Sequence, residues 1–542
     1  MLDTPGKLRI SHRSVGYVGV PAGTAIANAM MESIGLRQLI DDACVFDRVQ
    51  RDLSPGMAAK AMIATTFNIR NKDPLYLVNK AYRAAPVARM FGKAHLTSDS
   101  LNEDALGRAL DTIARTDLEK LFHDASERCI RRYGFESNVL HMDSTNWKFC
   151  GIHRDAPEGI ATPEYTGHPK DRMRDLLHYS LQVLTDSNRI IRGLRPYSGN
   201  VSDSRMDGDM LDFIRDQFPE DSRRTMTVVA DSKLMNARNL EKMLGMDIGF
   251  VSRCPASFGK KVQARVKELI RSDELFTGDE IKVADVDLDA AFGKRTHRLR
   301  FVAVRRERKV RERLAMMRAE VEAIRARFAK LEEGYSTSSH GVTQSFLSVK
   351  YTHREYISVS WEAVDCSAER GSPSFRLKVT ADLNRKAVRI AEDECTFVLV
   401  TNLPRAERDA ENARNGVTAD GVRRLYDQEY VVERSFRFMK SGLGIDTVYL
   451  QTPERENAMM MLMGIATLVT NIADAVFARE GVTLDGRTMT MHGLAYELQG
   501  TIVTLSDDDV LSVMQPGDSE FDLFEITDVL GLNPQLLLGF AP

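Results

Sequence analysis

The feature that most constrains this chain is a change of hydrophobic period at Asn138. Upstream, from about Ala25 to Tyr133, apolar residues recur at helical spacing. "SPGMAAKAMIATTFNIR" offers Ser54 as an N-cap and Pro55 at the first helical position. "SLNEDALGRALDTIA" pairs Ser100 with Glu103 as a capping box ahead of Leu106, Leu110 and Ile113. From Asn138 the pattern becomes that of strands. "NVLHMDST" reads as one strand, and "LLHYSLQVLTDSNRIIRGLRPY" as two around the turn Asp186-Ser187-Asn188. A helix over "RMDGDMLDFIRDQF", a continuously apolar strand "MTVVA" ending at Asp231, a helix "KLMNARNLEKMLG" and a strand "DIGFVSRC" follow. Antiparallel strands succeeded by alternating helices and strands imply an α/β fold, a mixed sheet with helices on its faces.

Residues 256–392 interrupt this order. Within them "VRRERKVRERLAMMRAEVEAIRARFAKLEEG" forms a long helix whose Val310, Leu314, Met317, Val321, Ile324, Phe328 and Leu331 make a heptad seam. Arg305, Arg306, Arg308, Lys309, Arg311 and Arg313 crowd its start, as a solvated face or as a phosphate-binding one. The strand "CTFVLVTN" returns the chain to the sheet, and a helix from about Ala419 follows. The expected organisation is a helical N-terminal domain over 1–135, a core in two parts (136–255 and 393–480), the insertion between them, and a C-terminal region over 481–542.

Composition excludes little. A formal net charge of -3 advertises no polyanion partner, although nucleic-acid binding needs only a local basic surface. Lys60, Arg70, Lys72, Lys80, Arg83, Arg89 and Lys93 lie among the N-terminal helices, a pattern shared by DNA-binding and other helical domains. The six cysteines are scattered without a C-x-x-C pair, which argues against a zinc site or a disulfide framework and suits a reducing compartment. "MLDTPGKLRI" has no apolar signal core, and "MMMLMGIATLVTNIADAVFA" is broken by Thr467, Thr470, Asn471 and Asp474, so a buried core helix and a cytoplasmic protein without a membrane partner are expected.

Three acids then stand out: Asp143 on the first strand, Asp231 after the fourth, and Glu433 on the helix beyond the insertion. Each alone has a bland reading, as a turn residue or a solvated helix position. Around Glu433, however, Tyr426, Tyr430, Arg437 and Lys440 recur at steps of three and four and share its face. Aromatic anchors, one acid and two bases on one face suit a metal-bound phosphodiester whose backbone is gripped alongside. Carboxylates suit Mg²⁺ or Mn²⁺, hard ions that prefer oxygen, and two such ions about 4 Å apart activate the attacking oxygen and stabilise the leaving one.

In order, "HMDSTNW", "GHPKDRMRDLLHYSLQVL", "SGNVSD", "VVADS", Tyr426…Glu433…Lys440 and "VYLQTPERENAMMMLMGIA" resemble a bacterial insertion-sequence DDE transposase. The branch resembled is the insertion-sequence-four type, with the signature Tyr-x2-Arg-x3-Glu-x6-Lys; its Arg position is held here by Glu429. The resemblance runs from about Ser137 to Ala475 and implies a ribonuclease-H-like core interrupted by an insertion before the third acid. It implies Mg²⁺-dependent cleavage of transposon ends and strand transfer at Asp143, Asp231 and Glu433, with Mn²⁺ as a substitute. Tyr426, Tyr430, Arg434, Arg437 and Lys440 are the expected DNA contacts, on double-stranded inverted-repeat ends and target DNA, with a homodimer on DNA. Two other functions fit the same residues: a catalytically inactive DNA-binding relic or repressor, and a nuclease that cuts without joining.

Overall fold

The computed structural model describes residues 18–67, 78–149, 160–162, 177–255, 264, 266, 268, 280–428, 447–448, 450, 452–505, 511–515 and 521–539. The chain divides into two compact units, Met1–Gly249 with Asp427–Pro542, and Phe250–Tyr426.

In the first unit, helices α1 (Ala22–Ser33), α2 (Leu36–Ala43), α3 (Pro55–Thr65), α4 (Glu103–Ile113) and α5 (Leu118–Tyr133) precede the sheet. Ser54 caps α3 as expected, its hydroxyl accepting from the Met57 N–H with Pro55 behind it. The cap of α4 differs from expectation. Asn102, immediately ahead of the helix, accepts from the Ala105 N–H, while Ser100 belongs to a short 3-10 turn that it caps reciprocally with Thr97. An Asx side chain next to the first helical residue outcompetes a serine two residues further back.

The strands β1 (Val139–Phe149), β2 (Leu177–Asp186) and β3 (Ile191–Ser198) form an antiparallel meander. The chain then passes through α6 (Asp203–Gln217), β4 (Thr227–Ala230) and α7 (Ala237–Gly245). β4 pairs in parallel with β1, so the sheet is mixed and β1 lies inside it, as the sequence pattern implied. The helix Pro453–Arg479 passes the length and composition test for a membrane span, yet 89% of its most apolar window is buried inside the protein. Gly464 lets it lie close to Phe122 of α5 and Leu194 of β3, a space that a Cβ would fill. Arg455 in its first turn grips Asp111 of α4 through two hydrogen bonds of 2.7 and 2.8 Å. Val18–Pro21, Ile502–Leu505 and Leu511–Met514 form a small antiparallel sheet. Beside it the Asn28 amide of α1 donates to the carbonyls of Leu536, Leu537 and Gly539. The helices, the meander and the C-terminal segment thus share one apolar core.

In the second unit, β5 (Gly249–Arg253), β6 (Ile281–Phe292), β7 (Arg295–Arg306) and β10 (Thr396–Thr401) pair antiparallel in the order β5-β10-β7-β6. Between β7 and β10 lie α8 (Glu307–Glu332), α9 (Ser339–Ser348), β8 (Ile357–Asp365), β9 (Phe375–Leu383) and α10 (Ala387–Glu394); α11 (Ala419–Asp427) follows. The heptad seam of α8 packs within the chain: Val310, Met317, Val321, Ile324 and Phe328 are buried against Ile357, Leu377 and Ala381. The basic start of α8 is largely self-neutralised. Arg308 and Lys309 pair with Glu312, Arg311 with Glu280, Arg313 with Glu394, and Arg305 with Glu307 and Glu392. Of its two readings, the solvated face fits these pairings.

Candidate catalytic centre

Hydrogen bonding sets the first two acids side by side. β1 and β4 pair through Val139 with Thr227, Leu140 with Val228 and His141 with Val229. Asp143 and Asp231 each lie two residues beyond that last couple, so they stand level, Asp143 within β1 and Asp231 one residue past the end of β4, on strands that run about 4.8 Å apart. Both are half-buried. Asp143 accepts from the Ser144 N–H at 2.7 Å, and Asp231 accepts from the Lys233 N–H at 2.7 Å. Locally, the buried run "TVVA" ends at Ala230 and releases Asp231, whereas Asp143 follows Leu140–Met142 inside a strand that continues to Phe149. His141, two residues before Asp143, is fully buried; burial holds its imidazole down to about 4, so it is a neutral core histidine.

A further acid, Asp207, missed by the sequence reading, lies near them on α6. Asp203 and Asp207 lie one turn apart on α6. The Ser144 hydroxyl donates to Asp203 at 3.3 Å, and Gln182 of β2, directly opposite Ser144, donates its amide to Asp207 at 2.9 Å. Asp207 is only 5% exposed, and its second oxygen, Oδ2, has no hydrogen-bond partner among the described residues. Burial pushes its carboxyl well above the ordinary range, and Asp231, then Asp203 and Asp143, push it further, against the Gln182 hydrogen bond. The signal was present in the sequence: Asp207 shares its face of α6 with Met210, Leu211 and Ile214, so an acid occupies a core position.

Glu433, Tyr430, Arg434, Arg437 and Lys440 lie outside the described residues. Tyr426, at the end of α11, is half-buried, with its ring tilted against Phe397 of β10 at 6.1 Å between centroids. The approach to α11 is fixed from within the second unit. Buried Arg300 of β7 donates to the carbonyls of Val417 and Pro404 at 2.8 and 3.2 Å while pairing with Asp285.

The donor set fits a hard dication. It consists of carboxylates, two of them level on adjacent strands, beside an acid whose buried oxygen lacks a donor among the described residues. Among the described residues no three His, Cys, Asp or Glu side chains converge on one ion position. Glu433, the third acid expected from the sequence, lies outside them.

A mixed sheet bearing one aspartate within a strand and another just past the end of its parallel neighbour defines a centre suited to metal-dependent phosphodiester chemistry. Residues 134–469 match the family described as the transposase DDE domain, and the chain belongs to that family. Residues 17–126 match a second family, described only as a domain of unknown function. No curated protein matches the chain. Among solved structures, it is similar to the piggyBac transposase in a synaptic complex with hairpin DNA, at 10% identity and a TM-score of 0.41 over 88% of this chain and 79% of that one.

Proposed function

We propose that this protein is the transposase of a bacterial insertion sequence of the insertion-sequence-four type, with a ribonuclease-H-like core that cuts transposon ends and joins them to target DNA. The level placement of Asp143 and Asp231 in a chain of the DDE family is the observation that carries this reading. Asp143, Asp231 and Glu433 hold Mg²⁺, or Mn²⁺ in its place. When bound, the metal polarises the phosphodiester and activates the attacking oxygen. The remaining work belongs to the protein. The β1–β4 ladder and the Ser144 and Lys233 N–H groups fix the two aspartates before substrate arrives, so little reorganisation is needed. Tyr426, Tyr430, Arg434, Arg437 and Lys440 grip the DNA backbone beside the cut, and a homodimer brings two ends together.

The test uses the DNA flanking the reading frame, incubated with the full chain and Mg²⁺. Asp143→Asn or Asp231→Asn abolishes cleavage while end binding persists, because an amide lacks the charge that holds a dication. A well-folded double amide variant that still cleaves would overturn the assignment.

A further inference from the structure

We propose that Asp207 is a positioning residue of the cation site, acting through a metal-bound water. This inference rests on the function proposed above, because it takes Asp143 and Asp231 to be the protein's direct ligands.

Three observations lead to it. First, Asp207 is an acid in the buried stripe of α6, where a helix facing a sheet normally carries an apolar side chain. Burying a carboxyl is costly unless both oxygens are satisfied, and among the described residues only Oδ1 is, by the Gln182 amide. Secondly, its charged surroundings worsen the position: Asp231, Asp203 and Asp143 all act on it. A fold keeps an acid at such a place when something positive or hydrogen-donating compensates it. A dication held by Asp143 and Asp231 supplies the charge, and a water on that ion supplies the donor for Oδ2.

Thirdly, the geometry favours a water over direct ligation. Asp207 lies against Gln182, on the Ser144 side of the sheet, whereas alternation along β1 puts Asp143 on the other side. β4 ends at Ala230 and Thr447–Val448 pair with that flank of β1 only at Lys148 and Phe149, so beside Asp143 the flank is open to the turn that carries Asp231. Asp231 is accordingly the acid with the largest effect on Asp207. Among the described residues no three His, Cys, Asp or Glu side chains share one ion position, so Asp207 is assigned to the cation's hydration shell and not to its direct ligands. Outer partners of this kind orient direct ligands and bound water, and their loss typically weakens metal binding ~10–100-fold.

The test measures Mn²⁺ binding to the full-length protein without DNA, by calorimetry and by the spin-resonance signal of bound Mn²⁺, together with melting temperatures with and without the ion. Asp207→Asn keeps the side-chain shape and an oxygen for Gln182 while removing the charge. Mn²⁺ affinity should fall about 10-fold or more, and the bound-ion spectrum should change. The metal-free variant should melt no lower than the parent, whereas a merely structural role predicts a lower melting temperature and unchanged binding. If Asp143→Asn abolishes binding and Asp207→Asn leaves it untouched, Asp207 has no part in the site and the catalytic reading stands. If Asp143→Asn and Asp231→Asn also bind Mn²⁺ as the parent does, the centre itself is misassigned and this inference falls with it. An Asp207→Asn chain that does not fold also overturns the proposal, because the neutral isostere must be tolerated.

Discussion

Tyr179 of β2 donates its hydroxyl proton to Glu456 in the first turn of the helix Pro453–Arg479, joining the meander to the helix at the centre of the core. The other Glu456 oxygen has no hydrogen-bond partner among the described residues, and burial pushes this carboxyl up to about 7, with Glu454 adding to the shift and the Tyr179 hydrogen bond opposing it.

The pair predicts how stability depends on pH. An unfolded glutamate titrates near 4.5, whereas Glu456 in the fold titrates near 7. Between those values the unfolded chain has released its proton and the folded one retains it, so stability falls as pH rises through the window and stays low above it. Melting temperatures from pH 4 to 8 should show the parent losing more than Glu456→Gln, which has no proton to release. Parallel curves for the two proteins would remove Glu456 as the cause.

A second prediction separates the two glutamates of the signature, both outside the described residues. Glu433→Gln should eliminate cleavage, while Glu429→Gln should spare it, since Glu429 stands where the resembled family holds a phosphate-binding arginine. Glu429→Arg should tighten DNA binding in low salt, because it replaces a repulsive charge by an attractive one. Loss of cleavage in Glu429→Gln alone would show that the signature is assigned to the wrong glutamate.

A third concerns how closely α6 lies on the sheet. A Cβ at Gly193 of β3 would fall 2.7 Å from the Phe213 ring, so the glycine is what admits that ring. Gly193→Val should destabilise the fold by about 1–3 kcal/mol through overpacking. Adding Phe213→Leu, which shortens the obstructing side chain, should recover part of the loss in thermal melts. A double variant as unstable as the sum of the two single ones would mean the two sites are uncoupled.

A fourth concerns charge within the helical core. Lys60 of α3 is 1% exposed and donates to Glu32 of α1 at 2.5 Å and to the Met90 carbonyl at 2.6 Å. Lys60→Met should cost ~3–5 kcal/mol in chemical denaturation, because it takes the nearest cation from a buried carboxylate and leaves the more distant Arg37. Lys60→Met combined with Glu32→Gln should cost clearly less.

Much of this architecture is legible in residue order. The change of period at Asn138, the hairpin turn near Ser187 and the apolar run before Asp231 are local signals, and each became the expected element. The α8 seam was legible as a stripe but not as to its partner, because a heptad pattern fits any apolar surface, here β8 and β9. The level pairing of Asp143 with Asp231 was hidden, since hydrogen bonds between residues nearly ninety positions apart leave no periodicity. Asp207 was overlooked because an acid on an amphipathic helix usually faces water, and only Gln182 above it reveals the burial.

The helix Pro453–Arg479 also sets a timetable for synthesis. α4 leaves the ribosome about 340 residues before the helix whose Arg455 will grip its Asp111. At ~5–20 residues per second that interval is roughly 20–70 s. For that time the apolar faces of the first helices lack their final partner, which makes the nascent chain a client for holding chaperones. A premature stop anywhere before Pro453 would leave the N-terminal helices without that partner, so shortened products should be recovered mainly in the insoluble fraction.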